Sequence, residues 1–309
     1  MPLSPLFKDR LHFLQDQSLP ERARALAFEA PLSEYVSPPI QSIDVAIPGP
    51  LGTIKARLYR PANNTTVLPA LIWFHGGGFR FGDIEMNEAN IVARELAHRG
   101  DFAVLTVDYA LCTDTQFFPA PQNDGVASLR WLAANSAELL IDQSHIFVGG
   151  ISAGGALAAS VAVHDRDSGE NLLAGQLLNC PDLHKTLPEY GPDVLRAVTE
   201  EPSVIFLNHE VVNRHNAAHV EPGVPQADWW FAGDAPSQVG LAPAQIINCE
   251  YDGLRASGEK YGQQLVEAGI EVEVLMQSGV PHAHINRYPA DCPEMDETLN
   301  NMVRWLKAH

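Results

Sequence analysis

The sequence predicts an α/β fold built on a mostly parallel β-sheet with helices on both faces. From about residue 41, short β-rich runs alternate with helical patterns, and several of these runs, such as "FAVLTVDYA", are continuously apolar over most of their length. Strands that are apolar throughout are buried on both faces, as in parallel sheets covered by helices. Hydrophobic residues make up 46% and charged residues 19% of the 309, which is ordinary globular usage and excludes disordered and fibrous classes.

The first half of the chain contains the clearest alternation. It begins with a predicted hairpin, "IDVAIPG" and "TIKARLYRP", and continues with the buried strand "ALIWFHGGG". A helix over "EANIVARELAHRG" ends at Gly100, and the strand "FAVLTVDYA" follows. Next come a helix around "DGVASLRWLAAN", the strand "HIFVGG", a helix that begins at Ala153, and the strand "AGQLLNCP".

The alternation stops between about residues 182 and 240 and then resumes. The interrupted segment contains several prolines and the pair Trp229 and Trp230, and these aromatic residues argue against disorder. After it we expect the strand "AQIINCEYD", a helix over 257–268 and the strand "EVEVLMQ". The last helix places four apolar residues on one face: Met295, Leu299, Met302 and Leu306.

The interrupted segment predicts how the chain is organised. We expect residues 183–240 to form a partly helical cap, joined by residues 1–40, over the carboxyl ends of the strands. Residues 41–182 and 241–309 then form the two parts of one core. The prediction is a single domain with a cap.

Charge and cysteine content limit the partners and the compartment. The formal net charge of −18 argues against nucleic acid or an anionic membrane surface as a partner. We find no signal peptide and no run of eighteen apolar residues, so we expect no stable membrane association. The four cysteines are scattered without metal-ligand spacing, which is typical of buried thiols in a reducing compartment. These features predict a cytoplasmic protein.

A nucleophile motif lies between a predicted strand and a predicted helix. The segment from Gly150 to Gly154 reads G-x-S-x-G, with Ser152 at its centre. A sharp turn from strand to helix needs glycine two residues before and two residues after the serine, because side chains there would collide. A serine hydroxyl becomes a good nucleophile only when a base accepts its proton, so a histidine and an orienting carboxylate are also needed.

The acid and the base are expected after two later strands, in the order Ser, Asp or Glu, His. "AQIINCEYDGLR" offers Asp252, which we prefer because Gly253 follows it, and Glu250 as the second choice. "PHAH" offers His282, with His284 as the alternative base. One helix, one strand and their loops fill the interval between the acid and the base, which is what this architecture requires.

A glycine-rich segment, "FHGGGF", leaves the third predicted strand. Without side chains, its backbone N–H groups can approach a substrate oxygen that becomes negatively charged. We expect three such donors, the N–H groups of Gly77, Gly78 and Ala153. Together with a serine, a histidine and a carboxylate, they predict attack of the serine on a carbonyl carbon.

With these residues in view, the chain resembles the hormone-sensitive-lipase-like group of α/β-hydrolase esterases. Five landmarks carry the resemblance in order: "HGGGF", "DYALCTDTQFFPAP", "GISAGG", "YDGLRASGE" and "PHAH". It implies an α/β-hydrolase fold with Ser152 as nucleophile, Asp252 as acid and His282 as base. His75 matches a motif histidine that is mostly structural, and Ile151 stands where many members carry an acid.

The resemblance also implies the substrate and the assembly. We expect a serine carboxylesterase for small esters of short to medium chain length, and a homodimer. In the cap and beside the glycine-rich segment, four aromatic residues are candidates for the acyl pocket: Phe79, Trp229, Trp230 and Phe206. Tryptophans in such a segment more often pack against other residues than contact a substrate, so packing is the alternative role for Trp229 and Trp230.

Two alternatives remain open at this point, and two others are disfavoured. The same scaffold supports non-hydrolytic or acyl-transfer enzymes of biosynthetic pathways, and ligand-binding receptors that resemble hydrolases. A phosphate-binding turn at Ser152 is disfavoured because no Lys follows as in GxxxxGK[ST] and no G-x-G-x-x-G is present. A metal pair formed by His282 and His284 lacks a third ligand at convincing spacing, so we expect neither metal nor cofactor.

Overall fold

A computed structural model of the chain describes residues 1–16, 18, 20–201, 204 and 207–309, and the side chains of residues 21, 22, 25 and 26 are left aside. One eight-stranded sheet organises the described residues. Its strands are β1 (Ile40–Gly49), β2 (Gly52–Pro61), β3 (Leu68–Phe74), β4 (Ala103–Asp108), β5 (Ile141–Ile151), β6 (Leu173–Asn179), β7 (Ala244–Tyr251) and β8 (Val272–Pro281).

The sheet is mostly parallel, as predicted. Its spatial order is β1-β2-β4-β3-β5-β6-β7-β8. The predicted hairpin pairs β1 with β2, and β2 is also antiparallel to β4. From β4 to β8 every neighbouring pair is parallel. The carboxyl ends of β3 to β8 therefore lie along one edge of the sheet, which is where ligands bind in open α/β sheets.

The helices cover both faces of this sheet. Ten are described: α1 (Pro5–Lys8), α2 (Leu11–Gln15), α3 (Glu21–Glu29), α4 (Asn87–Gly100), α5 (Ala120–Ala134), α6 (Ala153–Ser168), α7 (Pro192–Glu200), α8 (His209–Ala218), α9 (Arg255–Glu267) and α10 (Pro293–Leu306). One hydrophobic cluster joins α5, α6 and α9 to the sheet, and a second joins α4 and α10 to the opposite side. The predicted α/β fold class is confirmed.

Periodicity explains the last helix. The four apolar residues predicted to share a face, Met295, Leu299, Met302 and Leu306, are all at most 2% exposed. The interrupted segment, predicted to be partly helical, contains two helices, α7 and α8, whose bounds its irregular period did not give. None of the described helices combines the length and the apolar character needed to cross a lipid bilayer.

Candidate active site

Three of the predicted site residues each follow the last residue of a parallel strand. Ser152 follows β5, Asp252 follows β7 and His282 follows β8. Because these strand ends share one edge of the sheet, their side chains meet. His282 Nε2 lies 3.0 Å from Ser152 Oγ, and His282 Nδ1 lies 2.6 Å from Asp252 Oδ2. The structure thus brings the three residues into one hydrogen-bonded chain.

The serine occupies a strained turn between β5 and α6. Ser152 has φ 55° and ψ −120°, outside the regions that side chains favour. A Cβ on Gly150 would lie 2.7 Å from Phe74 O, and one on Gly154 would overlap the carbonyl oxygens of Phe74 and His75. Glycine is therefore required on both sides of the turn, since β3 passes too close for a side chain.

The carboxylate and the imidazole are buried together. Asp252 is 2% exposed, and its Oδ1 accepts the N–H of Leu254 at 2.9 Å. Because its Oδ2 can only accept, His282 Nδ1 donates and Nε2 is left to accept the hydroxyl hydrogen of Ser152. Burial lowers the pKa of His282, but Asp252 and Cys180, through charge and hydrogen bonding together, hold this pKa well above its ordinary value.

The two alternative residues point elsewhere. Glu250 Oε2 accepts the N–H of Gly279 at 2.8 Å, and Glu250 Oε1 contacts Arg196 at 3.3 Å. His284 is 1% exposed, and its Nε2 lies 2.8 Å from Thr298 Oγ1 on α10. Burial lowers the pKa of His284 to about 3, so the ring is neutral. None of these hydrogen bonds involves Ser152.

The glycine-rich segment after β3 is held from beneath by hydrogen bonds. Tyr109 Oη donates to His75 O at 2.8 Å, and the two rings stack with centroids 4.3 Å apart. His75 Nδ1 donates to Gly76 O at 2.7 Å, and burial lowers the pKa of His75 to about 4. In a trans peptide the C=O and the next N–H point in opposite directions. Holding Gly76 O on one side therefore directs Gly77 N–H to the other.

The next peptide is fixed in the same way. Gly77 O accepts N–H groups from Arg80 at 3.1 Å and from Phe81 at 3.2 Å, so Gly78 N–H points away from that turn. Gly77 has φ 103°, and a Cβ there would overlap Phe81 O. Ala153 is the first residue of α6, where an N–H has no acceptor within the helix. Among the hydrogen bonds of the described residues, none is donated by these three N–H groups, as the predicted role of oxyanion donors requires.

The aromatic residues predicted for the acyl pocket lie in different surroundings. Phe79 is 3% exposed and packs edge-on against Phe118 with centroids 4.9 Å apart. Trp230 is 6% exposed and also contacts Phe118, at 6.2 Å. Trp229 packs against His164 of α6. Phe206 lies outside the described residues.

Sequence reasoning missed one residue at this site, Glu88 in the first turn of α4. Glu88 is 3% exposed, and its Oε1 accepts the N–H of Gly76 at 2.6 Å. Burial raises the pKa of Glu88 to about 7, against the effect of the Gly76 hydrogen bond. The available signal was an acid at the start of the helix that follows "HGGGF", a position that the helix dipole favours for a negative charge.

Glu88→Gln is expected to stabilise the protein at alkaline pH. A carboxyl whose pKa is higher in the folded than in the unfolded state favours unfolding as pH rises, here between its ordinary value of 4.5 and about 7. Removing that ionisation raises the free energy of unfolding by up to about 3 kcal/mol at pH 8, with no gain below pH ~4.5. Urea denaturation of both proteins at several pH values measures this difference. A difference that does not grow with pH contradicts it.

Within the described residues, one group of three potential metal ligands stands out. Cys180 Sγ, a carboxylate oxygen of Asp252 and a ring nitrogen of His282 all lie within 4.8 Å of one another. The three come from separate loops, so no sequence spacing indicates them. Zinc accepts such a donor set. The 2.6 Å hydrogen bond between His282 and Asp252 leaves no room for an ion between these two atoms.

Comparisons with known proteins agree with this geometry. A family model described as the alpha/beta hydrolase fold matches residues 71–286. Esterase LipI of Mycobacterium tuberculosis is 31% identical over 272 residues, covering 86% of this chain and 81% of the relative. Carboxylesterase NlhH of the same organism is 34% identical over 241 residues, covering 76% and 72%.

A solved structure extends the likeness to the whole chain. A hyperthermophilic esterase from the archaeon Pyrobaculum calidifontis superposes with a TM-score of 0.78 at 29% identity, covering 100% of this chain and 99% of its own. The resemblance seen in the motifs is thereby confirmed. The chain belongs to the α/β-hydrolase family, within its hormone-sensitive-lipase-like group of carboxylic ester hydrolases.

Proposed function

We propose that this carboxylesterase works through an acyl-enzyme on Ser152, with His282 as the base and Asp252 as the orienting acid. The observation that carries the proposal is the hydrogen-bonded chain from Ser152 Oγ through the imidazole to Asp252, with distances of 3.0 and 2.6 Å. Such a chain lets one ring nitrogen accept a proton while the other stays bound to a carboxylate.

In the first half of the reaction, Ser152 Oγ attacks the ester carbonyl carbon and its proton moves to His282 Nε2. The carbonyl oxygen becomes negative and is bound by the N–H groups of Gly77, Gly78 and Ala153. Each donor of this kind contributes about 2.7 to 4 kcal/mol to transition-state stabilisation. When the intermediate collapses, the C–O bond to the alcohol breaks and the imidazolium returns the proton to the leaving oxygen.

The second half repeats these steps with water. His282 Nε2 accepts a proton from water, whose oxygen attacks the acyl carbon of the ester formed with Ser152. The same N–H groups bind the oxyanion. The bond between the acyl carbon and Ser152 Oγ then breaks, the serine recovers its proton from the imidazolium, and the carboxylic acid leaves. One ester and one water thus give one acid and one alcohol.

We further propose that residues 1–40 and 183–240 form a cap over the site, leaving residues 41–182 and 241–309 as the core. Support comes from contacts at the carboxyl edge of the sheet. Phe118 N–H donates to His219 O at 2.8 Å, and Asn216 Nδ2 donates to Asp182 Oδ1 at 3.2 Å. Both connect the end of α8 to loops that follow β4 and β6.

The cap would supply part of an apolar acyl pocket for short to medium chains. Phe79, beside the glycine-rich segment, and Trp230, from the 183–240 segment, both pack on Phe118. An aromatic wall built from the glycine-rich segment of the core and from the 183–240 segment limits the length of the acyl chain. Trp229 is a further proposed pocket residue, whereas the predicted Phe206 lies outside the described residues.

A series of p-nitrophenyl esters from acetate to laurate, combined with fluorophosphonate labelling, tests the proposal. We expect turnover that is highest for the short and medium esters, and stoichiometric labelling of Ser152. Ser152→Ala is the control, and we expect it to lose both activity and labelling. Equal turnover by this variant would contradict the acyl-enzyme, and a maximum at laurate would contradict the pocket.

We also propose a cellular location and an oligomeric state for the protein. Four buried, unpaired cysteines support a cytoplasmic, reducing location. The family resemblance supports a homodimer. Sedimentation at several concentrations would give twice the mass of one chain if the dimer forms.

A further inference from the structure

The geometry points to Glu88 as a positioning residue for the oxyanion-binding N–H groups; we propose that its carboxylate oxygen fixes the glycine-rich segment by accepting the N–H of Gly76. This inference rests on the proposed function, because it concerns how the donors of that same site are held. The contact is 2.6 Å long and buried. None of the reaction steps involves Glu88 directly.

The contact fixes one peptide plane at both ends. The peptide between His75 and Gly76 carries the N–H that Glu88 accepts and the C=O that receives Tyr109 Oη at 2.8 Å. A planar peptide held at both its donor and its acceptor cannot rotate. The following peptide, whose N–H belongs to Gly77, therefore starts from a fixed direction. Losing the Glu88 acceptor would free the first plane to tilt and misdirect the donor.

Glu88 is itself held rigidly. Its backbone C=O accepts Trp73 Nε1 at 2.8 Å, which ties the first turn of α4 to β3. The absence of a side chain on Gly76 permits the approach, since a Cβ there would lie 2.6 Å from Glu88 Oε1. The N-terminal end of α4 also favours a negative charge. A burial this complete is costly for a carboxyl group, which indicates a specific contact rather than a solvent-facing helix cap.

The nucleophile motif offers no equivalent acceptor. Ile151, which precedes Ser152, is fully buried and its side chain can form no hydrogen bond. Its backbone oxygen lies 3.4 Å from the Cβ position of Gly76, so the two segments are adjacent. The acceptor for Gly76 N–H comes instead from α4, a different part of the chain.

Steady-state kinetics of Glu88→Ala and Glu88→Gln test the inference. We expect Glu88→Ala to lower kcat about 10- to 100-fold, less than the 10²- to 10³-fold loss from deleting a donor outright. KM should change less than about threefold, because misdirected donors weaken the transition state rather than ester binding. Glu88→Gln keeps an acceptor oxygen and should stay within about fivefold of the wild-type kcat.

A matched control lies on the same helix. Glu95 is 8% exposed and pairs with Arg99, away from the glycine-rich segment, so Glu95→Ala should cost stability without lowering kcat. A wild-type kcat in Glu88→Ala, or an equal loss in Glu88→Gln, would overturn the inference. Failure of the proposed function is distinguished by Ser152→Ala, since that variant would then remain active whatever Glu88 does.

Discussion

His282→Ala is expected to lower kcat by about 10⁶-fold, the loss that follows when the base of a serine nucleophile is removed. His284→Ala should leave kcat within about threefold of wild type. The physical reason is that only the ring of His282 lies within 3.0 Å of Ser152 Oγ, whereas His284 is bound to Thr298. Single-turnover kinetics with p-nitrophenyl acetate can measure a loss of this size.

The comparison of the two histidines is internally controlled. Both side chains are buried and lie two residues apart, so a general effect of removing a buried imidazole should appear in both variants as a lower midpoint of thermal unfolding. Only His282→Ala should also lose fluorophosphonate labelling of Ser152. Near-normal activity in His282→Ala, or a 10⁶-fold loss in His284→Ala, would show that His282 is not the base.

The choice between these histidines illustrates what the sequence could not decide. Both follow β8, and both satisfy the expected order of residues. Ala283 lies between them with φ 57°, and this left-handed turn sends the next side chain into the core toward α10. Positive φ at a non-glycine residue has no sequence signature, so only coordinates separate the two rings.

The strand ends were predictable for a simple reason. Largely apolar runs located β5 and β7 and an alternating run located β8, and the residues near the end of each run had to lie close to the carboxyl edge of a parallel sheet. Ser152 and Asp252 follow directly from that rule together with the glycines beside them. Local pattern and global topology agree here, which is why little beyond periodicity was needed.

Contacts that support the site were not predictable, because they join distant parts of the chain. Tyr109 is 34 positions from His75, and Glu88 is 12 from Gly76. Nothing in either residue's local pattern indicates its partner. The bounds of α7 and α8, within the segment predicted to be partly helical, were not predictable for a different reason, since each helix has only two buried residues to set a period.

Asp252→Asn is expected to lower the maximal kcat by about 10⁴-fold. The loss comes from the tautomer of the base. An ionised Asp252 can only accept, so it keeps the hydrogen on His282 Nδ1 and leaves Nε2 able to take the serine proton. An asparagine amide can donate to Nδ1 instead and favours the tautomer that cannot accept from Ser152.

The same variant should shift the pH profile in a defined direction. Catalysis needs a neutral His282, so kcat/KM rises as pH increases through the pKa of this ring. Burial lowers that pKa, and Asp252 together with Cys180 raises it well above its ordinary value, the Asp252 charge being the largest of the raising effects. Without the charge, the effect of burial remains, and the ascending limb of Asp252→Asn must move to lower pH.

Glu250→Gln is the control for the shift of the ascending limb. It removes a carboxylate near β8 that does not contact His282. Glu250 contacts Gly279 and Arg196 rather than His282, so its removal should leave both the maximal kcat and the ascending limb unchanged. An unshifted limb in Asp252→Asn would mean that the Asp252 charge does not set the proton affinity of the base.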